Sequence, residues 1–256
     1  MFSKAIVRPP APNFAAGLTN ANLGAPDYER ALAQHHAYCF ALERCGLTLT
    51  RLAADPSHPD STFVEDSAVL TPHGAILTRP GAPSRAGEVA SIKEALADFY
   101  PSMFAIDSPG TVDGGDICEA GEHFLIGISE RTNEAGAQQL AEILATNDYT
   151  SSFVDVRGIR GILHLKSGVA YLGDNRLAVI DALAGHEEFH DYELVRVEDD
   201  EAYAANCMRV NEHVLVASGY DLWEGKLRDL GYQTMALEMT EFQKMDGGLS
   251  CLSLRF

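Results

Sequence analysis

The chain lacks most of the features that would place it in a special class. No apolar run approaches the roughly 18 residues that a membrane-spanning helix needs. The N-terminus, Met1 to Pro10, lacks the apolar stretch of a secretory signal and reads as a short strand that stops at Pro9-Pro10. Both features lead us to expect a soluble cytoplasmic protein. Cysteine is scarce: Cys39, Cys45, Cys118, Cys207 and Cys251 are odd in number and contain no Cys-x-x-Cys pair. That speaks against a disulfide framework or a four-cysteine zinc site. Positive charge is scarce too, with 19 Lys and Arg against 37 Asp and Glu, a net charge of −18. Nucleic acid and anionic membranes are therefore poor partners, whereas a cationic small molecule would be attracted. An acidic surface also serves solubility alone. Gly/Ser linkers, low-complexity tracts and charge blocks are absent, so one domain over residues 1–256 is expected. Gly-rich phosphate loops of the Walker or Rossmann type are absent as well.

What is present is a globular composition, 46% hydrophobic, in which helical and strand-like patterns alternate. Helical spacing marks Pro26–Cys45, Ser84–Phe99, Asn133–Thr146 with Thr132 as N-cap, and Leu222–Leu230 before Gly231. Strand patterns mark Leu47–Leu52, Phe63–Leu70, Ala75–Arg79, His123–Ile128, Leu163–Leu172, Leu177–Ile180, Val214–Ser218, Gln233–Glu238 and Cys251–Arg255. This is a mixed α/β chain. A weak repeat runs through it. Polar or reactive residues follow apolar stretches at Asp66, Asp116, His164, Asn206 and Cys251, at gaps of 50, 48, 42 and 45 residues. A five-unit, propeller-like array would bring these loops to one end.

Several motifs could carry chemistry. In Asp246-Gly247-Gly248-Leu249-Ser250-Cys251, two glycines permit close backbone approach just before a cysteine that enters a strand. Such a tight setting suits a thiolate nucleophile, and equally an inert cysteine after a turn. In Phe63-Val64-Glu65-Asp66, adjacent acids sit between apolar stretches. On a strand they would face opposite sides, and the inward one would need a cation, for which a guanidinium has the matching geometry. Asp113-Gly114-Gly115-Asp116 reads as a metal loop, a turn, or the acid that orients a histidine. His164, between apolar neighbours, is a core histidine or an acid/base. His186-Glu187-Glu188-Phe189-His190 matches the His-Glu-x-x-His zinc pattern, but its flanks are too short and polar for a buried metal helix.

Taken together, Phe63-Val64-Glu65-Asp66, Arg79-Pro80-Gly81-x-x-Ser84-Arg85, Asp113-Gly114-Gly115-Asp116, Arg131-Thr132-Asn133-x-x-Gly136, His164-Leu165-Lys166, Asn206-Cys207 and Asp246-Gly247-Gly248-x-Ser250-Cys251 closely resemble the dimethylarginine dimethylaminohydrolases. The similarity runs from Leu18-Thr19 to Phe256. The resemblance implies an α/β pentein fold, a five-bladed ββαβ propeller, and hydrolysis of Nω-methylated arginines to citrulline and methylamines without cofactor or metal. It further implies Cys251 as nucleophile, His164 as general acid/base and Asp113 as the carboxylate that orients it. Glu65 and Asp66 would hold the guanidinium. Asp60 and the Leu18 carbonyl would bind the α-ammonium, and Arg85 and Arg131 the α-carboxylate, with Phe63 beside the substrate. A sister arginine deiminase acting on an unmethylated guanidine stays open as the alternative. A homodimer is neither specified nor excluded.

Overall fold

The structure is a computed structural model that describes Met1–Phe256. Its architecture is one theme repeated five times. Each of five three-stranded sheets has a first strand antiparallel to the second, and a third strand parallel to the second. A parallel return needs a crossover, and in four sheets an α-helix supplies it.

The chain divides into two compact units, Met1–Val64 with Asn206–Phe256, and Glu65–Ala205. The first holds two sheets. One joins the chain ends: Ser253–Arg255 runs antiparallel to Lys4–Val7, which pairs in parallel with Thr48–Arg51. Its crossover helix is Tyr28–Arg44. The other comprises Met208–Val210, His213–Ala217 and Gln233–Leu237, with crossover helix Asp221–Asp229.

The second unit holds three sheets. Ala68–Thr71, Gly74–Leu77 and Met103–Ala105 are crossed by helix Glu88–Leu96. Ile117–Ala120, His123–Ile128 and Thr150–Asp155 are crossed by helix Glu134–Ala145. Val169–Gly173, Arg176–Ile180 and Glu193–Val197 have no helical crossover; a single 3-10 turn, Glu187–Phe189, occupies that connection. Middle strands are buried along almost their whole length, which is why Phe124 to Ile128 read as a continuous apolar run. Their side chains meet Leu140 and Leu144 of the crossover helix in one cluster. Each such buried leucine contributes roughly 1.5–3 kcal/mol of apolar transfer. No helix is long and apolar enough to cross a membrane.

Helix caps correct two sequence expectations. The first helix starts at Tyr28 and not in a turn led by Pro26, because the Asp27 carboxylate accepts the Arg30 N–H. The third is capped by Asn133, whose side chain accepts the Gly136 N–H; Thr132 spends its hydroxyl on Asp116 instead. The expected helix over 84–99 breaks into a 3-10 turn, Pro83–Arg85, and the shorter helix Glu88–Leu96.

The largest correction concerns strand starts. Val64–Ser67 is a 3-10 turn and the strand begins only at Ala68. The same holds at Leu165–Ser167 before Val169, and at Ser250–Leu252 before Ser253. Asp66, Asp116, His164, Asn206 and Cys251 therefore occupy equivalent places, on or beside a 3-10 turn that leads into the first strand of a sheet. The weak repeat in the sequence is this structural repeat.

Candidate active site

Three of these turns lie in the second unit and bring their polar residues together. His164 stands immediately before Leu165–Ser167, where its own carbonyl accepts the Ser167 N–H at 3.0 Å. Its Nε2 lies 3.1 Å from Oδ2 of Asp113, which is fully buried. Asp113 Oδ1 accepts the Gly81 N–H at 2.8 Å, and Arg131 Nη1 lies 3.6 Å from Oδ2. Asp66 accepts the Gly115 N–H at 2.8 Å and one N–H of Arg85. Arg85 is 4% exposed and turns its other edge onto Glu88, with donors at 2.7–3.2 Å. Glu65 is buried and paired with Lys166 at 2.6 Å. Asp66, Asp113 and His164 are the one group of metal-capable side chains whose ligand atoms lie within 4.8 Å of one another.

The glycines of Asp113-Gly114-Gly115-Asp116 make this density possible. A Cβ at Gly114 would strike the Glu65 carbonyl, and one at Gly115 would press on the His164 ring and Asp66. The motif is therefore close backbone packing beneath the imidazole, and the turn reading alone undersells it.

Electrostatics follow from the same geometry. Burial penalises the imidazolium, but the carboxylates of Asp66, Asp116 and Asp113 outweigh that cost and push the His164 pKa up to about 9. Burial would also raise Asp66. The Arg85 and His164 charges and the Gly115 N–H overcome it and hold this carboxyl below its usual range. Asp116 is pushed up to about 6 by burial despite its donors. Five carboxylates, at Glu65, Asp66, Glu88, Asp113 and Asp116, face four cations, at Arg85, Arg131, Lys166 and His164.

The first unit holds the other candidates. Cys251 lies on the Ser250–Leu252 turn and is the only cysteine that is not buried. Burial pushes the Cys39, Cys45 and Cys118 thiols up to about 11, which leaves them protonated at neutral pH. The turn ahead of Cys251 is clamped from both sides. Asn206 donates to the Ser250 hydroxyl and accepts the Ser250 N–H, each at 3.1 Å. Gly248 lies against Asn206 and Gly247 against the Phe63 ring, where a Cβ would collide. Phe63 is itself buried, with Phe14 and Phe242 at centroid distances of 5.9 and 6.3 Å. Asp60 is buried and accepts the Leu18 N–H with both oxygens, at 3.0 and 3.1 Å.

Sequence reading missed Glu88, Lys166, Gly81 and the hydroxyl of Thr132. Arg85 and Glu88 share the i, i+3 spacing of a paired turn, which was a usable signal. Nothing local points from Lys166 to Glu65. The His-Glu-x-x-His segment is not a helix: Glu187–Phe189 is one 3-10 turn, so the i, i+4 face that the zinc pattern needs does not form.

A family model for arginine deiminase matches residues 48–207. The N(G),N(G)-dimethylarginine dimethylaminohydrolase of Pseudomonas aeruginosa is 44% identical, over 100% of both chains. The enzyme of the same name from Streptomyces coelicolor is 34% identical, over 98% of this chain and 96% of its own. A structure of a cysteine-to-serine mutant of the P. aeruginosa enzyme, complexed with citrulline, superimposes with a TM-score of 0.97 over 100% of both chains. The five sheets are thus the blades of the pentein fold, four of them complete ββαβ units and one with a 3-10 turn in place of its helix, and the class is that of the guanidine-modifying penteins. Within it, this chain belongs to the dimethylarginine dimethylaminohydrolase family.

Proposed function

We propose that the chain hydrolyses Nω-methylated arginines, asymmetric dimethylarginine and monomethylarginine, to citrulline and the corresponding methylamine. The observation that carries this reading is the His164–Asp113 pair, buried among carboxylates that suit a guanidinium and keep the imidazole charged.

A guanidinium is a poor electrophile because its charge is delocalised. Asp66, with Glu65 beside it, fixes the plane of the group and keeps it charged. The Cys251 thiolate adds to the central carbon. Because Nε2 of His164 is engaged by Asp113, the proton for the departing amine comes from Nδ1. Dimethylamine leaves neutral, and an S-alkylthiouronium remains on Cys251. His164, now neutral, takes one proton from water as the oxygen adds to the carbon; the thiolate departs, the second water proton passes to solvent, and citrulline is released. Asp113 holds the ring orientation and favours its charged form throughout. Asp60 and the Leu18 carbonyl receive the α-ammonium. Arg131 receives the α-carboxylate, with Arg85 adding the second positive charge, and Phe63 supports the substrate through Gly247. On this reading both units form one catalytic domain, which works in the cytoplasm without metal or cofactor.

Identifying the amine released tests the reading. Incubation with asymmetric dimethylarginine should give equimolar citrulline and dimethylamine, in the presence of a chelator, and arginine should be much poorer. A site that places no carboxylate at the leaving nitrogen suits two methyl groups, whereas the unsubstituted nitrogen of arginine would bury donors without an acceptor there, at a cost of about 1–3 kcal/mol. Ammonia from arginine at equal or higher kcat/KM would identify a deiminase instead.

A further inference from the structure

Asp116 has no part in the chemistry just described, yet it is fully buried and saturated with donors. Its Oδ1 accepts the backbone N–H of Leu165, the residue after His164, at 2.9 Å. Its Oδ2 accepts the hydroxyls of Ser129 and Thr132, both at 2.7 Å. The Thr132 hydroxyl oxygen in turn accepts the N–H of Asp113 at 3.1 Å. One carboxylate thus ties down the backbone of both members of the His164–Asp113 pair, at Leu165 directly and at Asp113 through Thr132. Ser129 is fixed in the same way, because its oxygen accepts the N–H groups of Arg131 and Thr132 at 3.0 and 3.1 Å. Close approach of this carboxylate to the Leu165 backbone needs Gly127, where a Cβ would press on both Asp116 and Leu165.

We infer that Asp116, acting through the Thr132 hydroxyl and the Leu165 amide, is the positioning residue that sets the distance and orientation between His164 and Asp113. The inference rests on the proposed reaction and deepens it. A catalytic pair must be held within a fraction of an ångström by groups that are themselves locked. Here the lock is a carboxylate, which alone can accept from two hydroxyls and an amide at once. Its charge also reaches the imidazole, alongside Asp66 and Asp113, while Arg85 stands against Asp66 and Arg131 against Asp113.

The geometry also says how to break the lock in parts. In Asp116→Asn an oxygen can stay on the Leu165 N–H, but the amide NH2 then faces two hydroxyls whose oxygens already accept backbone N–H groups. Thr132→Val removes the hydroxyl that donates to Asp116 and accepts from Asp113, leaving the Ser129 and Leu165 bonds of Asp116 in place, and Thr132→Ser restores it. Steady-state kinetics on asymmetric dimethylarginine should show kcat about tenfold lower or worse in Thr132→Val, KM within about threefold, and recovery in Thr132→Ser. By NMR titration of the free proteins, the His164 imidazole should titrate at lower pH in Asp116→Asn than in wild type. If Asp116→Asn does not fold, the Thr132 pair carries the test alone. Wild-type turnover with Thr132→Val equal to wild type in kcat and in its pH profile overturns the inference and leaves the reaction standing. A wild-type protein that releases no dimethylamine overturns the reaction itself, whereas the NMR titration still reports on Asp116.

Discussion

The turn that carries Cys251 and the cluster around His164 are built from opposite materials. The first is mainly backbone and packing: two glycines against Phe63 and Asn206, a side-chain amide clamped on Ser250, and a single charge, the Arg255 guanidinium that donates to the Ser250 carbonyl at 3.1 Å. The second is charge: four carboxylates paired with four cations, and the buried Asp116 beside them. A nucleophile, the role proposed for Cys251, needs access and a fixed direction of approach, which shape supplies. An acid/base, the role proposed for His164, needs a particular protonation state, which neighbouring charge supplies. The two regions should therefore fail differently when mutated.

The sharpest break is Cys251→Ser. A serine hydroxyl stays protonated where a thiolate is needed, so turnover should fall by at least about 10³-fold with the fold intact by circular dichroism. Cys39, Cys45, Cys118 and Cys207 should each accept Ala with activity retained, because none is reachable. Substantial turnover in Cys251→Ser would falsify the nucleophile.

In the charged region Asp113→Asn keeps the shape and removes the charge. It should lower kcat by about 10²–10⁴-fold while KM changes little, since the ring loses its orienting acceptor. The pH profile follows from the same cluster. The folded pKa of His164, about 9, stands above its ordinary value of 6.5. The charged imidazole therefore stabilises the fold fully below about pH 6.5, and that contribution is lost as pH rises through about 9. Activity that needs the proton on Nδ1 should fall over the same alkaline range. Asp113→Asn should move that limb to lower pH. A limb at the ordinary histidine value in wild type would mean that the carboxylates do not act on the ring.

Arg131→Ala should cost about 1.5–3 kcal/mol, roughly ten- to a hundredfold in kcat/KM, for substrates with an α-carboxylate. A decarboxylated analogue should lose nothing. Equal losses for both would show that Arg131 serves Asp113, 3.6 Å away, and not the substrate.

The same contrast explains what could be read from the sequence. Asp66, Asp116, His164, Asn206 and Cys251 were visible as a repeat because each sits at the same place in a repeated sheet, and the mixed α/β class followed from alternating periods. The 3-10 turns were not visible. Phe63 to Leu70 has the composition of a strand, and only tertiary partners, the Gly115 N–H and Arg85 on Asp66 and Lys166 on Glu65, favour a turn over its first half. Thr132 and Asn133 are both good caps, and local chemistry could not tell that Asp116 claims Thr132. Backbone motifs with two glycines are legible in one sequence; charge networks between distant turns are not, because no spacing rule connects Lys166 to Glu65.

The smallest expected effect concerns the third sheet of the second unit, where a short turn replaces the crossover helix. His186 lies there with its ring 5.8 Å from Phe189 and Nδ1 3.6 Å from Glu188. His190 directly follows the turn and is exposed. Neither belongs to the one cluster of metal-capable side chains. Replacing both with Ala removes some packing on Phe189, for which about 1 kcal/mol of stability is a fair upper figure. The kcat/KM of His186→Ala/His190→Ala should stay within about twofold of wild type, since a surface change away from the reacting groups leaves transition-state contacts intact. Metal content measured on the purified proteins should not differ between variant and wild type. A tenfold loss of turnover together with loss of bound zinc in the double variant would restore the zinc-hydrolase reading, and would shift the functional weight from the buried charge cluster to this exposed turn.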